Sequence, residues 1–118
     1  MLRLYSYKGC DTCRKAKKWL QEKGEAFEEI PIRDKPPSKQ ELKQMLKNYS
    51  GEIRRLFNVS GQDYRSLNLK EKLPGMSPDQ AIDLLSGNGN LIKRPFALKD
   101  RKGLVGFKPD EWAESFID

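Results

Sequence analysis

The join between two hydrophobic periodicities constrains this chain more than any other feature, because both of its cysteines sit in that join. Met1-Leu2-Arg3-Leu4-Tyr5-Ser6-Tyr7 alternates apolar and polar positions, which is the period of a strand. Beyond Lys8 and Gly9 comes Cys10-Asp11-Thr12-Cys13, and there the spacing changes. Cys13, Ala16 and Leu20 fall at i, i+3 and i+7 with Trp19 beside them, and Gly24 supplies a stop, so a helix of about three turns is predicted. Ala26-Phe27-Glu28-Glu29-Ile30-Pro31-Ile32 alternates again and is ended by Arg33-Asp34-Lys35-Pro36-Pro37. This opening stretch is a βαβ unit carrying a C-x-x-C in its first turn, and it commits the chain to an α/β class.

The remaining elements are marked by caps and turns. Ser38-Lys39-Gln40-Glu41 is a capping box, and Leu42, Met45, Leu46 and Tyr49 follow at helical spacing up to Ser50-Gly51. Residues 52–57 read as a short further helix, residues 58–63 as a polar turn, and Leu67, Leu69 and Leu73 as short helix and loop. Ser77-Pro78-Asp79-Gln80 repeats the capping logic with Pro at the first helical position, and Ala81, Ile82 and Leu85 give a buried face before Gly87. Phe96-Ala97-Leu98-Lys99 and Leu104-Val105-Gly106-Phe107 flank Asp100-Arg101-Lys102-Gly103, which predicts a β-hairpin. Pro109-Asp110-Glu111 opens a last helix whose Trp112, Ala113, Phe116 and Ile117 are expected to face inward. The order is βαβ, a helical insert over about 38–90, then ββα. With no linker or repeat in the sequence, residues 1–118 are expected to form one domain.

Composition removes several kinds of chemistry. The chain has no His and two Cys, so a Ser-His-Asp triad, a Cys-His pair, an imidazole base and a His-containing zinc site are all excluded. The N-terminus has no apolar h-region and no run reaches the roughly 18 apolar residues of a membrane span, so no membrane association is expected. Two Cys without an export signal point to a reducing cytoplasm. The net charge of +6 is uneven: residues 1–59 hold 14 Lys/Arg and 8 Asp/Glu, residues 60–118 hold 9 of each, so the excess lies in the half with the thiols. That suits an anionic substrate or an acidic protein patch. Acidic residues are interleaved throughout and no RNP, KH, zinc-finger or basic-arm pattern occurs, so direct nucleic-acid binding is not expected.

At a strand-to-helix turn, Cys10 would meet free backbone N–H groups and the positive end of the helix dipole, which favour thiolate over thiol. Arg14, Lys15, Lys17 and Lys18 act in the same direction, although such a run is also the ordinary solvated face of a helix. Cys13, one turn along and inward, is placed to attack a mixed disulfide formed on Cys10. A lone C-x-x-C is also half of a zinc site, which here lacks its other ligands, or a pair of inert buried thiols; the βαβ context favours redox chemistry, with no metal. Arg94 precedes Pro95 at the start of a strand, where a cis peptide would expose backbone groups beside the thiolate and the guanidinium would hold an oxyanion. Asn58, Ser60 and Gly61 are a candidate anion-binding loop, or simply a turn. Trp19 and Trp112 read as core.

Taken together these residues resemble the arsenate reductase-like (ArsC) family of thioredoxin-fold proteins, which also contains the Spx-type regulators. The resemblance runs through Cys10-Asp11-Thr12-Cys13-Arg14-Lys15-Ala16, Pro36-Pro37-Ser38-Lys39-Gln40-Glu41-Leu42, Leu56-Phe57-Asn58, Tyr64-Arg65, Lys93-Arg94-Pro95-Phe96 and Val105-Gly106-Phe107-Lys108. It implies an α/β thioredoxin/glutaredoxin-like fold with a mixed four-stranded sheet. It also implies Cys10 as nucleophile and Arg94 as its catalytic partner, with Asn58 and Lys108 at the substrate, beside Cys13 as resolving thiol and Ser60 and Pro95 at the substrate from the residues' own chemistry. Family arsenate reductases use three arginines. Arg94 matches one, while Asn58 and Lys108 stand where the other two would be, which weakens a bidentate oxyanion clamp and counts against arsenate itself. The resemblance therefore implies a monomeric, cytoplasmic thiol reductase of an oxidised or oxyanion substrate. It would carry no bound cofactor and draw electrons from glutathione and glutaredoxin, or from thioredoxin. The alternative is a redox-switched regulator. Spx-type proteins share the C-x-x-C and the Arg-Pro segment and bind the C-terminal domain of the RNA polymerase α subunit. Gly51 matches a glycine of that surface, whereas the sequence stops at Asp118 without the basic extension of those regulators.

Overall fold

The alternation of the first residues becomes β1 (Leu2–Ser6), an inner strand of a four-stranded sheet of order β2-β1-β3-β4. The computed structural model describes residues 1–117. Helix α1 (Asp11–Glu22) carries the chain over to β2 (Phe27–Pro31), which runs parallel to β1 with Leu4 opposite Glu29. A helical insert follows: α2 (Lys39–Asn48), a 3₁₀ turn (Ile53–Leu56), α3 (Gln62–Ser66), α4 (Leu69–Lys72), a second 3₁₀ turn (Leu73–Gly75), α5 (Pro78–Ser86) and a third (Gly89–Leu91). The chain returns as β3 (Phe96–Lys99), antiparallel to β1, then β4 (Lys102–Val105), antiparallel to β3, and ends in α6 (Pro109–Phe116). The sheet is therefore mixed, as expected for this α/β fold.

Period-2 alternation divides the core between the two faces of the sheet. Leu2 and Leu4 of β1 and Ala97 of β3 pack with Ala16 and Leu20 of α1 and with Trp112 and Phe116 of α6. Tyr5, Phe96 and Leu98 point the other way, against Leu42 and Met45 of α2 and Leu85 of α5. Both capping boxes form. At α2, Ser38 Oγ accepts from Glu41 N at 3.1 Å and Glu41 Oε1 accepts from Ser38 N at 2.9 Å. The same carboxylate takes the Tyr5 hydroxyl at 2.9 Å and pairs with Arg3, so the cap also fastens α2 to β1. Burial first, and then the bond to Glu41, push the Tyr5 hydroxyl up to about 12.

One contact sets how the insert meets the segment before β3. The end of the insert is pinned back to its middle: Phe57 bridges Ile92, Asn58 N donates to Leu91 O at 2.7 Å, and Lys93 N donates to Leu56 O at 2.8 Å. This strap draws the Ile53–Leu56 turn alongside the segment leading into β3.

Two expectations are corrected. The second hairpin strand begins at Lys102, opposite Lys99, so the turn is only Asp100-Arg101, with Asp100 at φ 57; Gly106, at φ 73, falls after the strand instead of within it. Gly103 belongs to the strand because an added Cβ would lie 2.9 Å from both Leu98 Cδ2 and Met45 Sδ, so only glycine lets α2 pack on β4. Ala113 is exposed, because α6 is held by Trp112 and Phe116 one turn apart. Among the described residues no helix is long and apolar enough to cross a membrane.

Candidate active site

Cys10 is the N-cap of α1, with extended backbone at φ −101 and ψ 114. Its N–H donates to Tyr7 O at 3.1 Å, its carbonyl accepts from Arg14 N at 3.1 Å, and its Sγ accepts from Cys13 N at 3.3 Å. The sulfur thus occupies the capping position where a first-turn amide is free to meet negative charge. Cys10 is half-buried and Cys13 is 3% exposed; both are free thiols. Burial pushes the Cys13 thiol up to about 12, and its hydrogen bond to Cys10 adds to this, while a backbone bond at Tyr7 and the charge of Arg94 pull it down. Cys13 therefore keeps its proton at neutral pH, and Cys10 is the thiol that solvent can reach.

The cations of α1 are partly committed elsewhere. Arg14 pairs with Asp11 and donates to Lys8 O at 2.6 Å, and Lys17 reaches Glu29 at 3.2 Å. Lys15 and Lys18 are exposed.

The Arg94-Pro95 peptide is cis. Pro95 is buried and its carbonyl accepts from Gly106 N at 2.9 Å, tying this segment to the residue after β4. Arg94 lies with its guanidinium 5.1 Å from the centre of the Tyr7 ring, and its Nη1 is buried without a hydrogen-bond partner. Arg33 lies over the same ring at 4.4 Å and is itself bonded to Asn90.

A cleft of about 400 Å³ opens beside Thr12, inside the C-x-x-C. Five cations line it: Arg54 and Arg55 from the insert, Lys93 and Arg94 before β3, and Lys108 at the N-cap of α6. Phe57, Val59 and Phe107 supply apolar wall. Arg55 is stacked on the Tyr49 ring at 4.4 Å and stands 3.8 Å from Glu52, while Lys108 stands 3.9 Å from Glu111.

Arg94 and Lys108 thus share the cleft lining with Thr12, and the charge of Arg94 reaches Cys13, while Cys10 and Cys13 flank Thr12 in sequence and are not themselves lining residues. Asn58 and Ser60 stand apart from the cleft lining: Asn58 is half-buried in the strap, its carbonyl accepting from Gly61 N at 3.0 Å, and Ser60 is exposed. Arg54, Arg55, Lys93 and Tyr7 were not singled out by sequence. Two adjacent-cation pairs, Arg54-Arg55 and Lys93-Arg94, were the available signal, but nothing local says that they face each other. Among the described residues no group of three or more His, Cys, Asp or Glu is assembled for a metal ion.

The ArsC family model matches residues 5–115 of the chain. The uncharacterized protein YusI of Bacillus subtilis (strain 168) is 49% identical over 115 residues, 98% of each chain. The global transcriptional regulator Spx of Enterococcus faecalis is 31% identical over 94% of this chain and 83% of that one. The crystal structure of a possible arsenate reductase from Streptococcus mutans UA159 superposes with a TM-score of 0.86 at 40% identity, covering 92% of both chains.

Proposed function

The chain belongs to the ArsC family, and from that premise we propose that it is a thiol-dependent reductase of an oxidised substrate, with Cys10 as nucleophile and Cys13 as resolving thiol. The carrying observation is the unequal pair: a reachable Cys10 at a helix N-terminus over a buried, proton-holding Cys13, beside a cationic cleft. Cys10 thiolate attacks one sulfur of a substrate disulfide. The S–S bond breaks, one half leaves as a thiolate that takes a proton from water, and the other half stays bonded to Cys10. Once Cys10 is so capped, it no longer raises Cys13 through hydrogen bonding and charge, so the Cys13 proton is released more readily. Cys13 then attacks Cys10 Sγ, freeing the second half and leaving a Cys10–Cys13 disulfide. Two electrons have passed to the substrate, and thioredoxin, or glutathione with glutaredoxin, restores the dithiol. An oxyanion substrate would use the same nucleophile, with Arg94 on its oxygens.

The test is turnover of bis(2-hydroxyethyl) disulfide coupled to thioredoxin or glutathione reduction, for the parent, Cys10→Ser and Cys13→Ser. Loss of turnover in Cys10→Ser supports the reading. Similarity to Spx motivates one other reading, a redox-switched regulator bound to the RNA polymerase α subunit. Capture of that subunit by the oxidised protein, with no turnover on any disulfide, would replace the first reading with the second.

A further inference from the structure

We propose that the substrate of this thiol site is an organic disulfide in which the arm transferred to Cys10 carries at least two anionic groups and no ammonium. The inference rests on the reductase reading and is carried by the cleft. At about 400 Å³ the cleft lies in the range of small-molecule sites. A tetrahedral oxyanion, with a volume on the order of four waters or about 120 Å³, would leave most of it empty.

The charge is distributed to match. Arg54 and Arg55, Lys93 and Arg94, and Lys108 come from three separate segments, so anionic groups can be met on more than one wall. Among the described residues no carboxylate lines the cleft; the nearby Glu52 and Glu111 stand beside Arg55 and Lys108, at 3.8 and 3.9 Å. A ligand ammonium would meet five like charges and, in the lining, no carboxylate to pair with. Arg94 lines the cleft, and because its covered Nη1 has no hydrogen-bond partner in the protein, its charge is left to act on a carboxylate or phosphate seated there. Phe57, Val59 and Phe107 suit the hydrocarbon between two charged groups. In the reaction, Cys10 thiolate attacks the sulfur of the seated arm, the S–S bond breaks, and the other arm leaves and takes a proton. Cys13 later releases the seated arm as its thiol.

The experiment is a single-turnover rate measurement on the reduced full chain. Its probes are the symmetrical disulfides of 2-mercaptosuccinate (two carboxylates per arm), 2-mercaptoethanol (neutral) and cysteamine (one ammonium per arm). Each rate is divided by that disulfide's own rate with dithiothreitol, which removes intrinsic reactivity. The normalised rate should be about tenfold or more higher for the mercaptosuccinate disulfide than for the neutral one, and about tenfold lower for the cysteamine disulfide, the size expected for a cleft lined by one sign of charge. The spread should shrink between about 20 mM and about 500 mM salt. Arg55→Gln with Lys93→Gln, checked for an unchanged melting profile, should lose most of the mercaptosuccinate preference. Equal normalised rates for the three disulfides, or a spread indifferent to salt, overturns the proposal and leaves the reductase reading standing. No reaction with any of them overturns the reductase reading itself.

Discussion

Replacing Tyr7 with leucine removes the ring over which two guanidinium groups lie, Arg33 at 4.4 Å and Arg94 at 5.1 Å. A cation over an aromatic face is worth roughly 0.5–1 kcal/mol when exposed and about 2 kcal/mol when desolvated. Arg33 is exposed and belongs at the low end, whereas Arg94 is half-buried with Nη1 fully covered and belongs near the middle or above. Loosening Arg94 by about 1–2 kcal/mol corresponds to roughly a 5- to 30-fold fall in kcat/KM on an anionic disulfide. A neutral disulfide, which asks less of Arg94, should lose no more than about threefold. Tyr7→Phe keeps the ring and should stay within about threefold of the parent on both substrates. The assay is steady-state kinetics on the two disulfides, with a melting curve for each variant. If the leucine variant loses equally on both substrates, or the phenylalanine variant falls as far as the leucine one, Tyr7 is a packing residue and the reasoning about Arg94 is wrong.

Three further outcomes are expected. Trp112→Phe leaves Gly106 O without the indole N–H now 3.1 Å away and opens a gap beside Phe107 and Phe116, a loss of about 2–3 kcal/mol. With an unfolding entropy of about 0.25 kcal/mol/K for a chain of this length, calorimetry should show a fall of about 8–12 °C. Gly89→Ala would place a methyl 1.9 Å from Ile32 O, so the third 3₁₀ turn must part from the segment after β2; a fall of more than about 10 °C is expected, and one below about 3 °C would mean that the two segments separate freely. Finally, Cys13 is pushed up from 9.0 to about 12, Tyr5 from 10.0 to about 12, and Tyr49 upward as well, in each case first by burial. The folded chain then holds more protons than the unfolded chain above about pH 9, so this stability is intact below that pH and drains as pH rises toward 12. Melting temperatures from pH 7 to 11 should drop on the alkaline side, with a later onset in Cys13→Ala, which removes the contribution that begins at the lowest pH and keeps those of Tyr5 and Tyr49.

The parts legible in the sequence were those in which a residue speaks to its near neighbours. Ser38 with Glu41, and Ser77 with Gln80, form the reciprocal hydrogen bonds that their spacing announces, and Cys10 caps α1 because the strand and helix periods meet there. The hairpin was misplaced because Gly103 reads as a turn glycine, whereas its missing side chain serves the packing of Met45. Ala113 looked inward because apolar identity carries no direction at a helix end. Half of the cleft was hidden for a different reason. Arg54 and Arg55 acquire meaning only when Phe57 meets Ile92, a pairing between residues far apart in the chain.

That pairing separates two tasks on the polypeptide. The dithiol is fixed by β1 and α1, while much of the wall that reads a ligand is delivered by the insert at the strap. The strap is held through backbone groups of Leu56, Asn58, Leu91 and Lys93, so its hydrogen bonds do not depend on which side chains flank it. Substitutions at residues 54 and 55 should therefore leave the strap's hydrogen bonds in place. The insert thus brings part of the cleft wall on a frame of its own, joined to the sheet at α2 and closed on itself at the strap, apart from the turn that holds the two thiols.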